Sequence, residues 1–256
     1  MATITRTDEA EKVQVEEQVT RFDVHQIIQH AVLMVSFILL VVTGLPMKFS
    51  TAGISEWWVQ IWGGISNIRA VHHTSAYVMV LVCLYHLIYI GYGMLVKKRP
   101  FPMWMVPSVA DFVKLFQELA YFVGLRKEPP QFDRFNWREK FDYWAIFWGM
   151  PVMAGSGFIL MFPVFATKYL PGWVVPVAYT AHSHEAMLAF TWIFFIHIFF
   201  NHFSPSVYPL NKSIFTGKVP RERYIKEHAL EYERLTRVDE EKPEKEAVGT
   251  ITRASQ

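Results

Sequence analysis

The chain has 256 residues, 52% of them hydrophobic and 16% aromatic, with a formal net charge of +2. It shows no basic stripe of the kind that tracks a nucleic-acid backbone, so no nucleic-acid partner is expected. One cysteine, Cys83, excludes an intrachain disulfide framework, a cysteine-rich metal site and a cysteine-ligated iron–sulfur cluster.

Residues 1–22 are polar and acidic, with no apolar core or small-residue cleavage site. They are expected to form a cytoplasmic segment and not a secretory signal. Four apolar stretches then reach the roughly 20 residues a helix needs to cross a hydrocarbon core about 30 Å thick. The first, 27–45 (IIQHAVLMVSFILLVVTGL), and the second, 71–96, contain no Asp, Glu, Lys or Arg. The third, 143–165, contains Pro151, Pro163 and three glycines, which membrane helices tolerate and which let a neighbour or a flat ligand approach. The fourth, 176–203, carries one formal charge, Glu185. Between the second and third, 108–124 (SVADFVKLFQELAYFVG) reads as an amphipathic helix lying on the inner membrane surface. The segment 206–256 reads as a charged cytoplasmic tail, helical and then disordered.

Basic residues fix the expected orientation. The connection between the second and third spans holds Lys97, Lys98, Arg99, Arg126, Lys127, Arg134, Arg138 and Lys140, and the tail holds Lys212, Lys218, Arg221, Arg223 and Lys226. The other two connections hold only Lys48, Arg69 and Lys168. Positive residues stay inside, so both termini are placed in the cytoplasm. The expected fold is an all-α integral membrane protein, a four-transmembrane-helix bundle with N-in/C-in topology over residues 23–205. Its expected location is a bacterial inner membrane. No internal repeat is expected.

Ionisable residues inside a span are costly and point to function. His30 lies near the inner end of the first span, and His86 lies 14 residues past His72. That separation is about 21 Å and close to four helical turns, so both imidazoles face one side. The fourth span repeats the arrangement, with His182 and His184 near the outer end and His197 deeper. Two layers of histidine result, and a haem needs one imidazole from each of two facing helices. The competing readings are a histidine-rich non-haem membrane metalloenzyme and a passive anchor or transporter. Covalent haem attachment is excluded, because the Cys-x-x-Cys-His motif is absent.

The stretch RFDVHQIIQHAVLMVSFILLVVTGL, with His30 followed by Thr43-Gly44, resembles the first span of cytochrome b subunits of respiratory oxidoreductases. These are the formate dehydrogenase gamma subunit, the b-type cytochrome of membrane-bound nickel–iron hydrogenase and the thiosulfate reductase cytochrome b. The second span (IRAVHH…YHLIY) and the fourth (HSHEAMLAFTWIFFIHIFFNH) resemble the other ligand-bearing helices of that family. The resemblance implies that His72 and His182 bind an outer haem b and that His30 and His197 bind an inner one. His73 and His184 are the neighbouring alternatives. His86 and His202 exceed the family pattern; they can replace an inner ligand, hold a third haem, or serve a quinone. The family further implies electron transfer between the membrane quinone pool, menaquinone or ubiquinone, and a periplasmic-side partner, an iron–sulfur protein or a multihaem cytochrome c. His86, Asn201, His202 and Tyr208 are the candidate quinone residues, and no catalytic residue for substrate oxidation is expected in this chain. Glu185 is expected to orient a ligand imidazole, to relay protons, or to sit as an interfacial charge.

Overall fold

The computed structural model describes residues 18–204, 207–208, 210–234 and 236–237. The disordered stretch expected at the C-terminus falls outside these residues. The described chain folds into two units.

The larger unit, Val24–Ser108 with Trp137–Asn211, contains four helices long and apolar enough to cross a membrane. Helix α1 (Val24–Lys48) leads through α2 (Gly53–Ile61) into α3 (Ile65–Leu95). The smaller unit contributes α4 (Val109–Phe122), and the larger unit resumes with α5 (Trp137–Met161) and the short α6 (Pro163–Ala166). Helix α7 begins at Val174 and runs to Phe203, its last part wound as two π turns, Ile193–His197 and Phe199–Phe203. Helix α1 packs on α3 and α5 on α7, and contacts of α1 with α7 and α3 with α5 close the bundle. The four spans match the expected number. The second begins at Ile65 and the third at Trp137, each six residues before the apolar run does. Helical hydrogen bonding continues into polar sequence there.

Burial in this unit is the reverse of that in a water-soluble domain. Gln29, Ser36, Thr43, Ser75 and Ser156 are buried, while Leu81, Ile88, Trp148 and Leu188 are each more than 60% exposed. Lipid solvates large apolar side chains, so helices associate through small and polar residues instead. Helix α2 is anchored by a related economy of hydrogen bonds. Pro46 has no N–H to give to Val42 O four residues back, and the Trp58 indole N–H donates to that carbonyl at 2.9 Å.

The smaller unit gathers the described parts of residues 1–23, 109–136 and 212–256. Strand β1 (Gln18–Thr20) pairs antiparallel with β2 (Lys218–Pro220) in the register Val19 to Val219. The short helices α8 (Ser213–Thr216) and α9 (Arg221–Glu227) flank β2. Arg21 donates to His228 Nε2 at 2.7 Å and to Arg134 O at 3.1 Å, while Arg134 reaches Glu231 at 3.0 Å. Tyr224 O–H also donates to Glu231, and Arg234 makes two bonds to Asp133 at 2.9 and 3.0 Å. Segment 109–136 thus groups with the two terminal segments and not with the spanning helices, because its backbone and carboxylate groups meet the arginines and histidine of those segments. Burial alone would raise the Asp133 carboxyl. The Arg134 N–H and the Arg234 guanidinium outweigh that, with Lys114 adding to them, and hold it below its ordinary value. Burial and the hydrogen bond to Glu231 push the Tyr224 hydroxyl up.

Candidate functional site

The histidines converge in two tiers inside the bundle. In the tier nearer the α1–α3 and α5–α7 connections, His72 of α3 faces His182 of α7, their ring centroids 6.3 Å apart and their planes at 61°. In the tier nearer the start of α1 and the end of α7, His30 faces His197 with centroids 6.2 Å apart and planes at 27°.

Local sequence sets each imidazole. Thr43 Oγ1 gives its proton to Leu39 O at 2.6 Å, so at 2.9 Å it can only accept from His72 Nδ1–H. Ser156 repeats this, donating to Val152 O at 2.5 Å and accepting from His182 Nδ1–H at 3.0 Å. Each hydroxyl fixes the tautomer that leaves Nε2 with its lone pair. The next residue is glycine in both helices. A β-carbon on Gly44 would lie 3.4 Å from His72 Cε1, and one on Gly157 would lie 3.2 Å from His182 Cε1. Hydroxyl and glycine together form a cradle that a larger residue would fill.

The second tier uses a carboxylate. Asp142 of α5 accepts from His197 Nδ1–H at 2.7 Å through one oxygen and from the Trp192 indole N–H at 2.6 Å through the other. Trp192 and His197 are five residues apart, about 140° around a regular helix. The π turn at Ile193–His197 spreads five residues over nearly one turn and brings both donors to the same carboxylate. Asn201 Nδ2 donates to His197 O at 2.9 Å.

The other singled-out residues occupy different surroundings. His184 is exposed and bonds to Thr180 O at 2.8 Å on its own helix. His73 stands edge-on to His72 with centroids 6.3 Å apart. His86 Nδ1 meets Gln29 Oε1 at 2.6 Å, and its Nε2 meets the Tyr143 hydroxyl at 3.3 Å. His202 lies on the second π turn and is half-buried, and Tyr208 is exposed beyond the last span. Glu185 turns against α5, one carboxylate oxygen 2.9 Å from where a β-carbon on Gly149 would stand. It is half-buried.

Asp142, Ser156 and Gln29 hydrogen-bond to the histidines at positions that the sequence reading did not single out. Asp142 lies one residue outside the apolar run that marked the third span. Ser156 carries a signal that was available, since Ser156-Gly157 matches Thr43-Gly44.

The fit to haem can be tested on the ring spacings. A metal–imidazole nitrogen bond is about 2.0 Å and the nitrogen lies about 1.2 Å from its ring centre, so two axial imidazoles stand about 6.4 Å centre to centre. Both facing pairs meet this spacing. Among the described residues, no three His, Cys, Asp or Glu side chains converge as a non-haem metal site requires. The two facing pairs thus stand at a spacing compatible with one iron held between two imidazoles.

Comparison with known families bears on the same residues. The model of a family described as prokaryotic cytochrome b561 matches residues 21–217, which include all four spans. No curated protein matches the chain.

Proposed function

Since the chain belongs to the prokaryotic cytochrome b561 family, a family of membrane haem b electron-transfer proteins, we propose that it is the di-haem subunit of a respiratory oxidoreductase. Haem b supplies a one-electron ferric–ferrous couple. His72 and His182 hold the outer haem, and His30 and His197 hold the inner one. His73 and His184 are not ligands. Thr43 and Ser156 orient the outer imidazoles, and Asp142 orients His197. Both termini lie in the cytoplasm of a bacterial cell, and the membrane crossed is the inner one. Electrons pass between a periplasmic-side iron–sulfur or multihaem cytochrome c partner and menaquinone or ubiquinone at the inner tier.

The observation that carries this reading is that histidines of different helices face each other in two tiers of one bundle, His72 with His182 and His30 with His197. The test is a dithionite-reduced minus oxidised spectrum together with haem counting. The full chain is expected to bind two b-type haems. Alanine at His72 or His182 should remove one, alanine at His30 or His197 should remove the other, and alanine at His73 or His184 should remove neither. A folded, haem-supplied protein without a b-type spectrum overturns the proposal.

A further inference from the structure

The two hairpins of the bundle, α1 with α3 and α5 with α7, repeat each other in position and role. Thr43-Gly44 cradles His72 as Ser156-Gly157 cradles His182. Gln29 accepts from His86 at 2.6 Å as Asp142 accepts from His197 at 2.7 Å. The matching residues of α1 and α5 all differ by 113 positions, and that offset also pairs His30 with Tyr143. His72 and His182 differ by 110 positions and His86 and His197 by 111, the extra residue being taken up in the π turn before His197.

This relation exchanges His72 with His182, so the outer tier maps onto itself. The inner tier does not. The image of His30 and His197 is Tyr143 and His86, a second inner position with a phenol where an imidazole would stand. There the Tyr143 hydroxyl is 3.3 Å from His86 Nε2, whereas one iron between the two atoms needs about 4 Å. The pair is one hydrogen bond apart, so Tyr143 and His86 do not stand as a ligand pair around one iron.

What the position offers is polar and aromatic. With Gln29 Oε1 taking the Nδ1 proton, His86 Nε2 accepts from Tyr143 O–H. Gln29 is 5% exposed, and its Nε2 has no hydrogen-bond partner among the described residues. A buried donor of this kind wants an acceptor. Phe147 stands 5.0 Å from the Tyr143 ring and 6.3 Å from the His86 ring, and Trp144 stands 5.4 Å from Phe147. His86 and Tyr143 are half-buried, so neither is sealed within the bundle.

We propose that Gln29, His86 and Tyr143 bind the carbonyl-bearing ring of a lipid-soluble quinone, in the place where the repeat would put a further haem. The inference rests on the quinone-exchanging function proposed above and gives it a site. The Gln29 amide N–H donates to the ring carbonyl, the Tyr143 O–H turns from His86 Nε2 to the same carbonyl when the ring binds, and the aromatic side chains flank its face. Gln29 is the chain neighbour of His30, so the bound ring sits beside the inner haem pair.

The test uses the full chain, haem-loaded in detergent, with menadione as the probe in equilibrium dialysis and menadiol as the electron donor in stopped-flow reduction. Tyr143→Phe and Gln29→Leu are each expected to weaken menadione binding about tenfold, one hydrogen bond's worth, while two haems per chain are retained. His86→Gln should also keep both haems. If wild-type protein binds menadione and the Tyr143 and Gln29 variants bind it equally well, the cluster is only a packing contact and the inference falls. Loss of a haem in His86→Gln would make His86 a ligand and overturn it too. If wild-type haem is not reduced by menadiol and menadione does not bind, the quinone function itself fails, a result distinct from the other two.

Discussion

Thr43 and Ser156 show how a single hydroxyl decides the chemistry of a neighbouring ring. Each spends its proton on the carbonyl four residues back and so can only receive from the imidazole. Thr43→Val and Ser156→Ala keep the shape and remove the acceptor, and haem retention in the outer tier is expected to fall about 10- to 100-fold, read by pyridine haemochrome after a detergent wash. The adjoining glycines act through space alone. Gly157→Ala brings a methyl within 3.2 Å of His182 and Gly44→Ala within 3.4 Å of His72, so the first should lower haem content more than the second. Asp142→Asn removes a charge beside His197 without removing volume. The ferric form loses stabilisation, and redox titration should show one midpoint potential rising, by 59 mV for each tenfold change in relative affinity, with both haems present.

At the scale of elements, α7 carries the least ordinary feature. Ile198 N–H bonds to Ile193 O and Ser204 N–H to Phe199 O, each five residues back. Deleting Phe195 would restore regular winding and turn His197 by about 100° away from Asp142 and His30. The haem count is expected to drop from two to one, with the outer haem unaffected. No sequence pattern announced this turn; its only trace is that His182 and His197 lie one residue further apart than His72 and His86. The four spans were legible because 18 or more apolar residues have few other uses. The two tiers of histidine were legible because depth follows from numbering, whereas the pairing of His30 with His197 came from the resemblance to the cytochrome b subunits. Asp142, Gln29 and Tyr143 were not, since hydropathy places the membrane boundary on them and says nothing of what a polar side chain at a helix end will touch. The grouping of segment 109–136 with both terminal segments was equally hidden, because it depends on ion pairs between residues about a hundred positions apart, such as Arg134 with Glu231.

The molecule as a whole divides its electrostatics between two environments. In the smaller unit Asp133 is held below its ordinary value of 3.8 by Arg134, Arg234 and Lys114, against the opposing effect of burial. A carboxyl lowered in this way contributes stability that is present above its ordinary value and lost as pH falls through the lowered one. Hydrogen exchange at Arg134 and Leu230, corrected for intrinsic rates, is therefore expected to lose protection on acidification below the usual carboxylate range, and Asp133→Asn should be unprotected already at neutral pH. In the spanning unit the outer imidazoles are arranged otherwise. Their Nδ1 protons end on hydroxyls whose own hydrogens, among the described residues, go to carbonyls of their own helices. In the proposed function that tier carries electrons and no protons, so each charge crossing it goes uncompensated within the bilayer. Transfer is then coupled to the membrane voltage by up to about 2.3 kcal/mol per electron for every 100 mV. In that function, two hydroxyl groups that point the wrong way for proton traffic would make this bundle sensitive to the energised state of the cell.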